Sequence, residues 1–150
     1  MWKDLTSGVT VLPDSEKLAI VDALPPSGLL AAARVSGTKA VDADGVFDQI
    51  STDFKFPTWF GWNWNALSDC LRDLSWLPAD RYLVIVENVS HLLAEDASYR
   101  KDFFQILDRA AKHWENPLNK PGGSKISFRT ICLAPEADVN KIRGELGIIG

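Results

Sequence analysis

The sequence has few of the residues that build metal centres and disulfide frameworks. Its 150 residues include only two cysteines, Cys70 and Cys132, and two histidines, His91 and His113. No CxxC pair is present, so we expect no metal and no cofactor. No apolar run approaches the roughly 20 residues of a membrane helix, and no basic start leads into an apolar signal peptide. We therefore expect a cytoplasmic protein, with no membrane contact, whose cysteines stay reduced.

Positive charge is also scarce. The chain has 16 basic and 20 acidic residues, a net charge of −4, and the segment 40–100 holds 10 acids and 4 bases, a net of −6. Because phosphate contacts need basic patches, we expect no direct binding of nucleic acid. An acidic middle region is typical of a protein that binds a cationic partner or a metal, or that only needs to stay soluble. Charge alone leaves these three interpretations open.

What the sequence does contain is an alternation of short apolar runs with amphipathic stretches. This order predicts an α/β fold, a small and mostly parallel β-sheet covered by helices. A Pro-Pro-Ser-Gly stretch predicts an N-terminal strand–helix extension, residues 1–28, packed on a domain of residues 29–150. The predicted strands are 8–12, 29–35, 82–86 and 127–133, and the predicted helices are 15–24 (capped by Asp14), 44–54, 63–74, 98–114 and 138–146.

The stretch 56–74 is the most informative part of the chain. Asn63 is placed to cap a helix whose spacing puts Leu67, Cys70 and Leu71 on one side and polar residues on the other. Four of the six tryptophans lie nearby, at Trp59, Trp62, Trp64 and Trp76. One interpretation is an aromatic loop packed into the core, with three of these tryptophans inside. The other is a recognition surface, since exposed aromatics beside charges are typical of interface hot spots.

A catalytic interpretation uses Cys70 as nucleophile with His91 and Glu87 as base and orienting group. Cys70, however, falls on the apolar side of its helix, where a thiol is usually an inert small hydrophobe. No glycine-rich phosphate loop follows a predicted strand. The carboxylates of Asp42 and Asp44 are typical of solvated loop charges. We therefore expect no enzymatic activity.

The motif FPxxFGxNWNALxDCLxDL, from Phe56 to Leu74, resembles the barstar family, intracellular inhibitors of the secreted ribonuclease barnase. The similarity continues through Ser75-Trp76-Leu77-Pro78 and the strand 83–86, and covers residues 29 to 133. It implies a three-layer α/β fold without catalysis. It also implies that the loop and helix from Trp59 to Asp73 plug a nuclease active site, with Asp69 lying where an RNA phosphate would bind. A carboxylate on a rigid helix is a sound mimic of phosphate in a cationic site.

The partner implied by this resemblance is a basic ribonuclease of the extracellular type, or a related nuclease toxin, bound by a protein that is monomeric when free. The alternative is a binding module, an adaptor or regulator, that kept the fold and changed its partner. Several positions depart from the family pattern. Asn65 replaces the usual Asp, Ser68 replaces a tryptophan, and Arg72 adds a cation three residues from Asp69. Trp59 replaces a tyrosine, and the later helix has Arg109 or Ala110 in place of an acidic contact. The expected partner-binding residues are Trp59, Gly61, Trp62, Asn63, Asn65, Ser68, Asp69, Arg72 and Asp73.

Overall fold

Four parallel strands form the centre of the protein. In the computed structural model, which describes residues 8–16, 30–116 and 126–146, the strands are β1 (Val9–Pro13), β2 (Leu30–Ser36), β3 (Arg81–Glu87) and β4 (Ser127–Ala134). Their order in the sheet is β1-β4-β3-β2, and all three pairings are parallel. The α/β class and the parallel sheet predicted from the sequence are therefore confirmed.

Four α-helices accompany these strands in the described residues. They are α1 (Ala43–Asp53), α2 (Trp64–Asp73), α3 (Arg100–Glu115) and α4 (Val139–Leu146). The first and last residues of each helix lie within two positions of the predicted ones. The helix predicted for residues 15–24 begins as a 3-10 turn, Asp14–Glu16, and otherwise lies outside the described residues.

The third strand is buried on both faces, which explains its unbroken apolar run. Tyr82, Val84 and Val86 point into the main core with the buried sides of the four helices. Leu83 and Ile85 point the opposite way and pack with side chains of β4 in a smaller cluster. Because successive side chains of a strand point to opposite faces of the sheet, β3 contributes to two separate apolar clusters.

The open edge of β2 is closed by side chains of α1. Asp53 Oδ2 accepts a hydrogen bond from the backbone N–H of Arg34, and Gln49 Oε1 accepts one from the N–H of Ser36, both at 2.8 Å. These bonds satisfy donors that an edge strand otherwise offers to other chains. They also tie α1 to the sheet, and α1 supports one side of the site described next.

Candidate partner-binding site

Asn63 organises the junction between the aromatic loop and α2. Its side-chain Oδ1 accepts a hydrogen bond from the N–H of Ala66 at 2.8 Å, and its Nδ2 donates to the carbonyl of Gly61 at 3.0 Å. The first bond is the predicted helix cap, which is confirmed. The second holds the loop against the helix start. Gly61 is also sterically suited to this position, because an added Cβ would lie 3.2 Å from Asn63 Nδ2 and 3.3 Å from Ala66 Cβ.

The buried side of α2 anchors the helix firmly. Leu67, Cys70 and Leu71 are fully buried, and the indole N–H of Trp114 on α3 donates to the carbonyl of Leu71 at 2.9 Å. Burial, followed by the nearby carboxylates of Asp73 and Asp69, raises the pKa of the Cys70 thiol to about 11. Cys70 is thus a packing residue that stays a thiol at neutral pH, which opposes its use as a nucleophile.

The polar side of α2 faces solvent, as predicted. Asn65, Asp69, Arg72 and Asp73 are exposed, and Ser68 is half-buried between them. The guanidinium of Arg72 lies back along the helix: Nη2 is 2.8 Å from Asp69 Oδ1, and Nε donates to the carbonyl of Ser68 at 3.2 Å. The Asp69 side chain remains 73% exposed and that of Arg72 44%. The Asp69 carboxylate is therefore accessible and already paired.

Trp62 is held at the surface by a long-range contact. Its indole N–H donates to Asp44 Oδ1 on α1 at 3.1 Å, and its ring meets those of Phe47 and Phe60 with centroids 6.1 and 5.5 Å away. Its backbone has a φ of 55°, which is uncommon for a bulky residue and is sustained only by such surrounding contacts. The ring is nevertheless 46% exposed. It is a fixed, accessible aromatic surface.

Trp59 is the most exposed large apolar side chain among the described residues, at 65%. Its ring stands at 90° to that of Trp76, with centroids 5.9 Å apart. Trp76 is half-buried, and its indole N–H donates to the carbonyl of Phe54 at 3.0 Å. Three of the four clustered tryptophans are predicted to pack into the core, but only two of them do. Trp64 and Trp76 pack inward, whereas Trp59 and Trp62 remain on the surface.

A shallow pocket opens beside Trp62. Its volume is about 220 Å³, and it lies between the end of α1 and the aromatic loop. The lining residues are Ser51, Thr52, Phe56, Pro57, Thr58, Phe60 and Trp62. The loop that leads into α2 therefore presents both projecting rings and a concave, partly aromatic wall.

The nine predicted partner-binding residues lie on the loop from Trp59 to Asn63 and on α2, where their side chains are exposed or half-buried. Sequence reasoning missed the supports from elsewhere in the chain, above all Asp44, which holds Trp62. The prediction that Asp42 and Asp44 are only solvated loop charges is wrong, because Asp44 lies in the first turn of α1 and accepts the Trp62 bond. Asp42 in fact caps α1 by accepting from the N–H of Gly45 at 2.9 Å. Within the described residues, no group of histidine, cysteine and acidic side chains is arranged to hold a metal ion.

Comparison with known families matches residues 30–130, about two thirds of the chain, to the family described as Barstar (barnase inhibitor). The chain belongs to the barstar family. In general, members of the barstar family bind ribonuclease partners. The matched segment contains β2, α1, the aromatic loop, α2, β3 and α3, and hence every residue of the candidate site. No curated protein is similar enough to this barstar-family chain to count as a match. In the described residues, no helix is both long and apolar enough to cross a membrane.

Proposed function

We propose that this protein is a non-catalytic, immunity-type inhibitor that plugs the active site of a barnase-like ribonuclease or related nuclease toxin. The loop and helix from Trp59 to Asp73 enter the site, and Asp69 takes the place of an RNA phosphate. The protein acts in the cytoplasm and as a monomer, and residues 1–28 are an extension of the 29–150 domain. The observation that carries the proposal is the 73% exposed carboxylate of Asp69 on a capped, core-anchored helix.

Rigidity supports this role. A phosphate mimic is effective only if the carboxylate is held in place before binding, because ordering it on binding would cost affinity. The cap at Asn63 and the buried contact between Trp114 and Leu71 hold the two ends of α2. The exposed Trp59 and Trp62 add the aromatic area that is typical of interface hot spots.

The ion pair with Arg72 does not prevent Asp69 from reaching a partner. An exposed helical pair of this kind contributes only about 0.3–0.5 kcal/mol. A carboxylate and a cation in a desolvated interface depend on each other more strongly: removing one member of such a pair costs about 2–5 kcal/mol, much of it because the other charge is left buried and unpaired. The weak pair with Arg72 is therefore a small obstacle to a partner cation that pairs with Asp69.

The pairing also favours a second candidate function. A family member whose anchor carboxylate is partly neutralised by Arg72, and whose Asn65 carries no charge, is also suited to a binding module that has changed its partner. The two functions differ in one measurable property. An inhibitor abolishes RNA cleavage by the protein that it binds, whereas an adaptor leaves its partner's activity intact.

The experiment uses barnase first, and then nucleases captured from the native host by the full-length protein. RNA cleavage is titrated with wild-type protein, Asp69→Asn and Asp108→Asn. Asp108 is a matched control, because it is also an acid in a helical ion pair, 2.9 Å from Lys112 on α3. We expect Asp69→Asn to weaken inhibition by about 30-fold or more, as loss of an interfacial charge requires, and Asp108→Asn to change it little.

Asn65→Asp is an informative companion on the same side of α2. If the nuclease is cationic opposite this position, the added charge tightens binding and raises the on-rate at low salt. If the nuclease is built to meet an amide, an unpaired carboxylate weakens binding. Equal inhibition by wild type and Asp69→Asn would contradict the anchor role of Asp69. Partners that cleave RNA undisturbed when bound would favour the adaptor.

A further inference from the structure

The pocket beside Trp62 lies on the α1 side of the aromatic loop. Its volume of about 220 Å³ is below the roughly 300–1,000 Å³ of pockets for drug-sized ligands, so it has room for a single side chain. One wall is a row of rings, in which the centroid of Phe60 lies 4.9 Å from that of Phe56 and 5.5 Å from that of Trp62. Trp62 also packs against Phe47 and donates its indole N–H to Asp44. Contacts within the chain thus hold this wall in place before a partner binds.

Hydroxyl groups line the rest of the pocket, together with Pro57. Ser51 and Thr52 contribute from the last turn of α1, and Thr58 contributes from the loop. The Ser51 hydroxyl donates to the carbonyl of Asp48 at 3.1 Å, which leaves its oxygen free to accept a further hydrogen bond. An apolar occupant would cover these hydroxyls without giving them partners, which costs free energy. An occupant with N–H donors would satisfy them.

The charge beside the pocket is negative. Helix α1 contains three aspartates and no lysine or arginine. Two of them, Asp44 and Asp48, are exposed, and helical spacing puts them on the same side of α1 as Ser51. Lys55, the first base after the helix, is not among the residues that line the pocket. This environment repels an anion and attracts a cation.

A planar cation with several N–H donors fits the aromatic wall, the hydroxyls and the negative charge together. Cations bind over the faces of aromatic rings, best over tryptophan, and arginine does so more often than lysine. A guanidinium stacks flat on a ring and carries five N–H donors, whereas an ammonium is more strongly hydrated. We propose that this pocket is a binding site for an arginine side chain presented by a protein partner. The inference goes beyond the proposed function, because it applies to an adaptor as well as to an inhibitor.

A small arginine derivative tests the pocket on the free protein. N-acetylarginine methylamide is titrated into isotope-labelled protein and followed by NMR, with the citrulline analogue as a neutral control of nearly the same shape. The arginine derivative should shift the indole N–H resonance of Trp62 and the amides of Ser51 and Thr52, with a dissociation constant on the order of 10 mM. The citrulline analogue should bind about fivefold more weakly.

Trp59 is an internal control in the same spectra, because it is more exposed than Trp62 but does not line the pocket. A larger shift at Trp59 than at Trp62 would show that the derivative only coats exposed rings, and it would overturn the inference. Equal binding of the arginine and citrulline derivatives, or the absence of a saturable shift at Trp62, would also overturn it.

Three substitutions test the charge. Asp44→Asn and Asp48→Asn each remove one carboxylate, and Asp44→Asn keeps an acceptor for the indole N–H of Trp62. Asp108→Asn is the matched control, because it removes the same charge from α3. Each α1 variant, checked by circular dichroism, should bind the arginine derivative about threefold more weakly, and Asp108→Asn should stay within about 1.5-fold of wild type. Similar effects of all three substitutions would reflect net charge alone and would overturn the inference.

A displayed library of short random peptides identifies the preferred occupant. It is selected on wild type and on the double variant with Asp44→Asn and Asp48→Asn. Wild type should enrich arginine-containing peptides about fivefold or more over the double variant. Enrichment of apolar or acidic peptides instead, or equal enrichment of lysine and arginine, would overturn the inference. The proposed function fails separately: it loses its anchor if Asp69→Asn inhibits a nuclease as strongly as wild type, whatever the pocket binds.

Discussion

The side chain of Asn63 is where a single substitution should disturb both the stability and the binding surface of this protein. Replacing it with alanine removes the acceptor for the Ala66 N–H and the donor to the Gly61 carbonyl. Loss of a helix cap costs about 1 kcal/mol, within a range of about 0.5–2 kcal/mol. The second bond is exposed, so it adds at most about 0.5–1 kcal/mol. The free energy of unfolding should therefore fall by about 1–2 kcal/mol.

Two substitutions separate the cap from the loop contact. Asn63→Asp keeps the acceptor, places a negative charge at the helix start, where it is favourable, and loses only the donor. It should therefore be destabilised by no more than about 0.5 kcal/mol. Asn65→Ala removes a similar exposed amide two residues further on, where no cap exists. Its stability should change by less than about 0.5 kcal/mol.

Urea unfolding measures these differences, and thermal unfolding should show Asn63→Ala melting about 2–8 °C lower, given about 2–4 °C per kcal/mol for a domain of this size. Hydrogen exchange of the Ala66 amide should accelerate in Asn63→Ala and stay slow in Asn63→Asp. Nuclease binding should weaken in Asn63→Ala, because Gly61 and the neighbouring Trp62 lose their tie to α2. An Asn63→Ala protein as stable as wild type, or an Asn63→Asp protein destabilised as much as Asn63→Ala, would refute this account of the site.

Two further predictions concern titratable groups. Burial, and then the charge of Arg72, lowers the pKa of His113, so the unfolded chain takes up a proton first as pH falls below about 6.5. This contribution to stability is present above that pH and is lost below it. The free energy of unfolding should therefore fall less between pH 7.5 and pH 5.5 in His113→Gln than in wild type. Parallel plots of unfolding free energy against pH for the two proteins would contradict this. With a thiol pKa of about 11, Cys70 should resist thiol reagents in the folded state and react fully in urea. Rapid native labelling, or hydrolysis of a thioester that disappears in Cys70→Ala, would disprove its packing role.

Local sequence patterns determined much of the fold and part of the site. The alternation of apolar runs predicted the parallel sheet because strand and helix periods differ in sequence. Asn63 was recognisable as a cap because the cap's acceptor and its donor lie within one helical turn. Asp69 was recognisable as a candidate anchor from the position of the polar side of α2 together with the family motif. Each of these features depends on residues a few positions apart.

Only the tertiary structure decided which aromatic and charged groups are available. Trp62 is exposed and fixed because Asp44, 18 positions earlier, accepts its indole N–H, and Trp76 turns inward towards the carbonyl of Phe54, 22 positions earlier. Helix α2 ends at Leu74 in a left-handed conformation (φ 49°) that usually calls for glycine, because burial of the leucine side chain outweighs the backbone preference. No local pattern encodes such choices. They arise when α1, the aromatic loop and α2 pack together and the distant partners come within reach.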